Sequence, residues 1–135
     1  MSQENVEVVR TLIEQWNAGD RDLERSAEYV DPEIELESPL SSLAGEPYRG
    51  YAGIERWMRD LDEQFVEWAI NVDEVRHVRE TVVATVTINA RGRASGAPLE
   101  FDAASVFDFG SDHRLIRAHI YPDVEEALKA VGLEE

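Results

Sequence analysis

Residues 68–90, WAINVDEVRHVRETVVATVTINA, decide the fold. Apolar side chains recur there at every second position: Trp68, Ile70 and Val72, then Val82, Ala84, Val86, Ile88 and Ala90. A period of two puts those residues on one face of an extended chain and their neighbours on the other. The same alternation continues through Leu99, Phe101, Ala103, Ser105 and Phe107 and ends with Ile116, Ala118 and Ile120. Connections around Arg79-Glu80-Thr81, Gly92–Pro98 and Gly110–His113 are short enough for antiparallel hairpins.

Upstream the period is helical. Val6, Val9, Leu12, Ile13 and Trp16 stand three and four apart, predicting an amphipathic helix over 3–17. Gly19 suits its C-terminal cap and Asp20 the start of a shorter helix over 21–29, which stops before Asp31-Pro32. Ile54, Trp57, Met58, Leu61 and Phe65 predict a third helix over 53–67. One strand interrupts this half. In Glu33-Ile-Glu-Leu-Glu-Ser38 the residues Ile34, Leu36 and Ser38 share a face, and the three glutamates share the solvent-facing one. A loop over 39–50 follows, and Glu125–Val131 closes the chain with a helical turn or two. The order helix, helix, strand, helix, four strands is that of an α+β domain, its helices packed on one face of a curved antiparallel sheet.

Composition narrows the function. The 135 residues form one domain, 43% apolar and 31% charged, as expected of a globular protein. Thirteen bases against 29 acids leave a net charge of −16, which excludes the usual electrostatics of nucleic-acid or anionic-membrane binding. The absence of cysteine excludes disulfides, thiolate zinc sites and a cysteine nucleophile. No histidine pair stands at i, i+4 and no Gly-rich phosphate loop occurs, so neither metal nor cofactor is expected. No secretory or membrane-spanning pattern is present, and the expected location is the cytoplasm.

The stretches Asn5–Arg10, Trp16–Asp20, Asp31–Pro39, Tyr48–Ile54, Asp112–Ile116 and Glu125–Leu133 together resemble the nuclear transport factor 2-like superfamily. More closely, they resemble its SnoaL-like branch, related to polyketide cyclases and ketosteroid isomerase. The resemblance spans nearly the whole chain. It implies a cystatin-like α+β barrel: a cone-shaped sheet wrapped around three N-terminal helices, enclosing a small-molecule pocket. It also implies a homodimer through the outer face of the sheet.

Ketosteroid isomerase chemistry needs a carboxylate base, a tyrosine and a protonated aspartate. By motif register these positions fall on Ser38, Leu12 and Ser105, none of which can take the role. The acid–base aspartate of SnoaL-type cyclases falls on Ile120, with His119 and Tyr121 one residue to either side. His119, Tyr121 and, were its strand flipped, Glu35 are the remaining catalytic candidates. If the last hairpin pairs Ser105 with Ala118, then Ile116, Ala118 and Ile120 face the cavity. Arg117, His119 and Tyr121 then face outward beside Glu100, Asp102 and Asp108.

The expected pocket is lined by Leu12, Trp16, Ser38, Tyr51, Trp57, Met58, Leu61, Ser105, Ala118 and Ile120. Trp16, Tyr51, Trp57 and Met58 serve equally as core or as pocket wall on sequence alone. An apolar hollow with hydroxyls but no ionisable group suits a hydrophobic or polycyclic ligand. The alternatives are an isomerase or cyclase acting on a ketone or polyketide-like substrate, and a noncatalytic dimeric domain with a filled cavity.

Overall fold

The computed structural model describes residues 2–18, 28–38 and 45–132. The expected helix over 21–29 lies mainly outside them, as do the caps at Gly19 and Asp20 and the first half of the loop over 39–50. The elements run α1 (Ser2–Asn17), β1 (Val30–Glu37), β2 (Tyr48–Arg49), α2 (Gly50–Gln64), β3 (Phe65–Val78), β4 (Thr81–Gly92), β5 (Pro98–Phe109), β6 (Leu115–Tyr121) and α3 (Val124–Ala130). Among the described residues six strands form one open sheet in the order β2-β1-β6-β5-β4-β3. The α+β class and the helix-lined inner face agree with the sequence.

Pairing is antiparallel except between β1 and β6, which run parallel, so the sheet is mixed rather than purely antiparallel. Two strands so far apart in sequence carry no hairpin signal, and only the folded chain shows that Glu37 lies beside His119. Irregular registers in β1, twice in β3, and at Asp108/Phe109 bend the sheet.

The irregularity at Asp108/Phe109 also corrects an expectation. Phe109 pairs with Leu115, which is buried, and Ile116 is left unpaired in this ladder and 41% exposed. Ser105 pairs with Ile120, not with Ala118. A slip of two residues preserves the face of every side chain, so Ala118 and Ile120 still point inward.

α1 buries Val6, Val9, Leu12, Ile13 and Trp16, the stripe its spacing sets out. Its last residue fastens it to the edge strand β3: Asn17 Nδ2 donates to Ile70 O at 2.7 Å and Ile70 N donates to Asn17 Oδ1 at 2.8 Å. Those two bonds occupy backbone groups on an edge that would otherwise offer itself to another strand.

α2 starts three residues before the expected Gly53 and ends at Gln64, so Phe65 opens a strand instead of closing a helix. Two glycines explain the start. Gly50 has φ +69, a backbone conformation costly for any side chain, and a Cβ on Gly53 would lie 2.9 Å from the Tyr48 carbonyl carbon. Without Gly53, α2 could not approach β2 this closely. Tyr48 is itself locked there, donating to Asp60 Oδ2 at 2.6 Å beneath the Arg56 guanidinium.

The core has two parts. The larger lies between α1, α2 and the inner face of the sheet. The smaller is on the outer face, where Ala127 and Leu128 of α3 cover Val83, Ala104 and Val106. Part of the face on which the resemblance places a partner subunit is therefore covered by the chain's own last helix.

Candidate functional site

The inner face holds an apolar cavity of about 170 Å³. Trp57 and Leu61 of α2, Trp68 and Ile70 of β3, Ile88 and Ala90 of β4, Phe101 and Ala103 of β5, and Ile120 of β6 form its walls, with Phe65, Pro122 and Ser38 completing them. Period-two alternation in four strands delivers this composition, because each strand turns its apolar set inward. The indoles form a chain along one side. Trp16 and Trp57 meet edge to face with centroids 5.5 Å apart, and Trp57 and Trp68 tilt together at 6.2 Å. Phe101 and Leu99 are each 44% exposed, so the wall runs out to solvent at the start of β5.

Among the described residues no ionisable side chain lines this cavity, and Ser38 supplies its one hydroxyl. Of the ten pocket residues expected from sequence, Ser38, Trp57, Leu61 and Ile120 are in its wall. Leu12, Trp16 and Ala118 instead border a separate void of about 10 Å³, too small for an organic ligand, and so pack as core. Tyr51 gives its hydroxyl to Val30 O at 2.8 Å, pinning α2 to β1 rather than serving a ligand. Met58 is buried on α2 and Ser105 on the inner face of β5, and neither lines the cavity.

The ionisable candidates are on the other side of the sheet. His119 and Tyr121 line a groove of about 550 Å³ on the outer face, with Arg79, Thr81, Asp108, Arg117 and the end of α3. Their rings stack at 3.9 Å and 12°. His119 Nδ1 lies 3.3 Å from Glu37 Oε2, and Arg117 lies 3.9 Å from the same carboxylate. Burial pushes the His119 pKa below its usual value; Glu37 opposes that shift and Arg117 adds to it. Tyr121 is raised, chiefly by burial.

The acid next to this ring is Glu37. Asp108 pairs with Arg117 as expected, whereas Glu100 and Asp102 pair only along β4, beyond the end of β6. Glu37 is the residue that sequence reasoning passed over, since the parallel β1–β6 pairing that brings it there is invisible in the hairpin pattern. Glu35 turns to the same outer side and pairs with Arg49 at 3.5 Å, which removes it as a base for the inner cavity. His77 is exposed on the edge strand β3 and His113 sits in the last turn at φ +63. Among the described residues no three metal-ligating side chains converge, and no helix is long and apolar enough to cross a membrane.

The comparisons with known proteins agree with this architecture. No curated protein sequence matches the chain. A nuclear transport factor 2-like protein of unknown function from Burkholderia pseudomallei superposes with a TM-score of 0.77 at 17% identity, covering 94% of this chain and 96% of that one. A protein from Jannaschia sp. CCS1 named for SnoaL-like polyketide cyclases superposes at 0.75 and 19% identity, covering 99% and 95%. TerC, crystallised with polyporic acid, superposes at 0.75 and 18% identity, covering 94% and 96%. At such identities the likeness is one of fold. The family model described as the SnoaL-like domain matches residues 9–118, and the chain belongs to that family.

Proposed function

We propose that this SnoaL-like chain binds a hydrophobic small molecule in the inner cavity, with Trp57, Leu61, Ile120 and Ser38 among the residues that hold it. The observation carrying this reading is the character of the wall: aromatic and aliphatic, one hydroxyl, no ionisable group among the described residues. Such a surface gains from an apolar ligand and offers no proton donor or acceptor strong enough for enolisation. The function we read is therefore binding, and among the described residues none in the cavity wall can perform acid–base chemistry on a ketone.

Size sets the ligand. A dry apolar cavity of about 150 Å³ is enough for benzene, so about 170 Å³ takes one aromatic ring. A polycyclic ligand would keep its remaining rings at the open mouth beside Leu99 and Phe101.

The test is thermal unfolding with benzene, toluene, naphthalene and cyclohexanol at matched concentrations, read by tryptophan fluorescence. Toluene and naphthalene should raise Tm and perturb the emission of Trp57, and cyclohexanol should do so less. No shift with any apolar compound would refute the reading.

A further inference from the structure

The C-terminal end of α2 lacks what its own sequence could supply. The last carbonyls of a helix have no intrahelical donor, and they carry the negative end of its dipole. A basic residue in the last turn would meet both needs. α2 has none there, and Asp62 and Glu63 add charge of the wrong sign. The cation comes instead from the β4–β5 connection. Arg93 donates from Nε to Asp62 O at 2.9 Å, from Nη2 to Asp62 O at 2.7 Å and from Nη2 to Phe65 O at 3.3 Å. Its backbone N–H donates to Gln64 O at 2.9 Å.

The loop that presents Arg93 is itself braced. Gly92 N donates to Ala97 O at 3.0 Å, Gly96 N to Gly92 O at 2.8 Å, and Arg91 Nη1 to Gly96 O at 2.8 Å. A guanidinium on such a base meets the helix end as a planar fork, which a single ammonium could not do. What it grips is continuous with the inner cavity. Trp68 Nε1 donates to Asp62 Oδ1 at 3.2 Å, and Leu61, Phe65 and Trp68 are all cavity wall. The ladder places this corner at the mouth: Phe65 pairs with Gly92, Trp68 with Ala90, and Ala90 in turn with Leu99.

We propose that Arg93 is a specificity-determining residue of the inner cavity: by holding the last turn of α2, and through Asp62 the Trp68 ring, it limits the enclosed space to one aromatic ring. The inference rests on the reading of that cavity as a binding site. Arg93 is a positioning residue, acting through Leu61, Phe65 and Trp68. Without its three side-chain bonds α2 is still pinned by Tyr51 to Val30 O and by Asp60 to Tyr48. Only the turn beyond Asp60 is then free to swing from the sheet. The space grows at Leu61 and Phe65, so a single ring loses contact with its wall and a second ring gains room.

The selection is by shape and not by charge. The guanidinium is directed to backbone carbonyls, and among the described residues no ionisable side chain lines the cavity. The ligand class that follows is an uncharged arene of one ring. Arg93 itself is exposed, so its replacement leaves the packed core intact.

The test measures the dissociation constants of toluene and naphthalene by headspace gas chromatography over the full chain, Arg93→Ala and Arg93→Lys. Arg93→Ala should weaken toluene about fivefold and leave naphthalene within about twofold, so the ratio of the two constants shifts toward naphthalene. Arg93→Lys keeps a charge at the helix end but cannot bridge two carbonyls. It should recover thermal stability without recovering the ratio. A parent that binds toluene while Arg93→Ala shows an unchanged ratio, both ligands weakened alike included, overturns this inference alone and leaves Arg93 a merely structural residue. A lysine variant with the parent's ratio overturns it as well, and decides the matter by itself if the alanine variant does not fold. Failure of the parent to bind either ligand refutes the cavity as a binding site, and the selectivity falls with it.

Discussion

The two faces of β6 differ more than any two other regions of the molecule. Ala118 and Ile120 look inward onto the aromatic side of the sheet, and Arg117, His119 and Tyr121 look outward into a groove of charges and hydroxyls. One five-residue segment thus separates an apolar compartment from an ionisable one by about the thickness of a single strand. The separation is a consequence of the period of two. A register change of a single residue would place an imidazole in the cavity and two aliphatic side chains in water.

The comparison can be broken hardest from the inside. Trp57→Ala removes the middle member of the tryptophan chain, a side chain only 2% exposed, and should cost about 3–5 kcal/mol in denaturant unfolding. Glu35→Ala on the outer side removes an exposed pair with Arg49 and should change stability by less than about 1 kcal/mol. If the two costs were equal, the inner face would not be the packed one.

Much of this contrast is legible in the sequence. The stripe on α1 and the alternation in β3, β4 and β5 are strong periodic signals, and they fix which face is apolar. What the sequence does not carry is whatever depends on one extra residue or one distant pairing. The irregularity at Asp108/Phe109 exchanges Ile116 for Leu115 in the core, yet both are aliphatic and adjacent. Tyr51 reads as a pocket hydroxyl until its partner, Val30 O, is known. Glu37 reads as one of three solvated glutamates until β1 and β6 are seen to run parallel.

Tyr48→Phe tests the frame that carries α2 and its share of the cavity wall. Burial and the Asp60 carboxylate push the Tyr48 pKa up to about 12. A folded-state pKa raised above the unfolded value near 10 means the contribution is full below pH 10 and fades as pH rises toward 12. Its loss at neutral pH should cost about 1 kcal/mol. The variant should also show a smaller stability drop than the parent between those two pH values.

Smaller effects sharpen the outer side. Glu37→Gln removes the group that holds the His119 pKa up, so NMR titration of the ring should find it lower still. The folded pKa of His119 already lies below the unfolded value near 6.5, so the unfolded chain binds more protons in that window. Stability therefore falls as pH drops from about 6.5 through the folded pKa, and His119→Gln should make that part of the profile shallower. An unchanged slope in the variant would mean that the ring is solvated in the folded state.

The separation of compartments is tested most directly by diffusion of bromobenzene into crystals and location of the bromine by anomalous scattering. The account predicts one site, enclosed by Trp57, Phe101, Ile88 and Ile120 on the inner face. Bromine in the outer groove beside His119, or no ordered site at all, would contradict it.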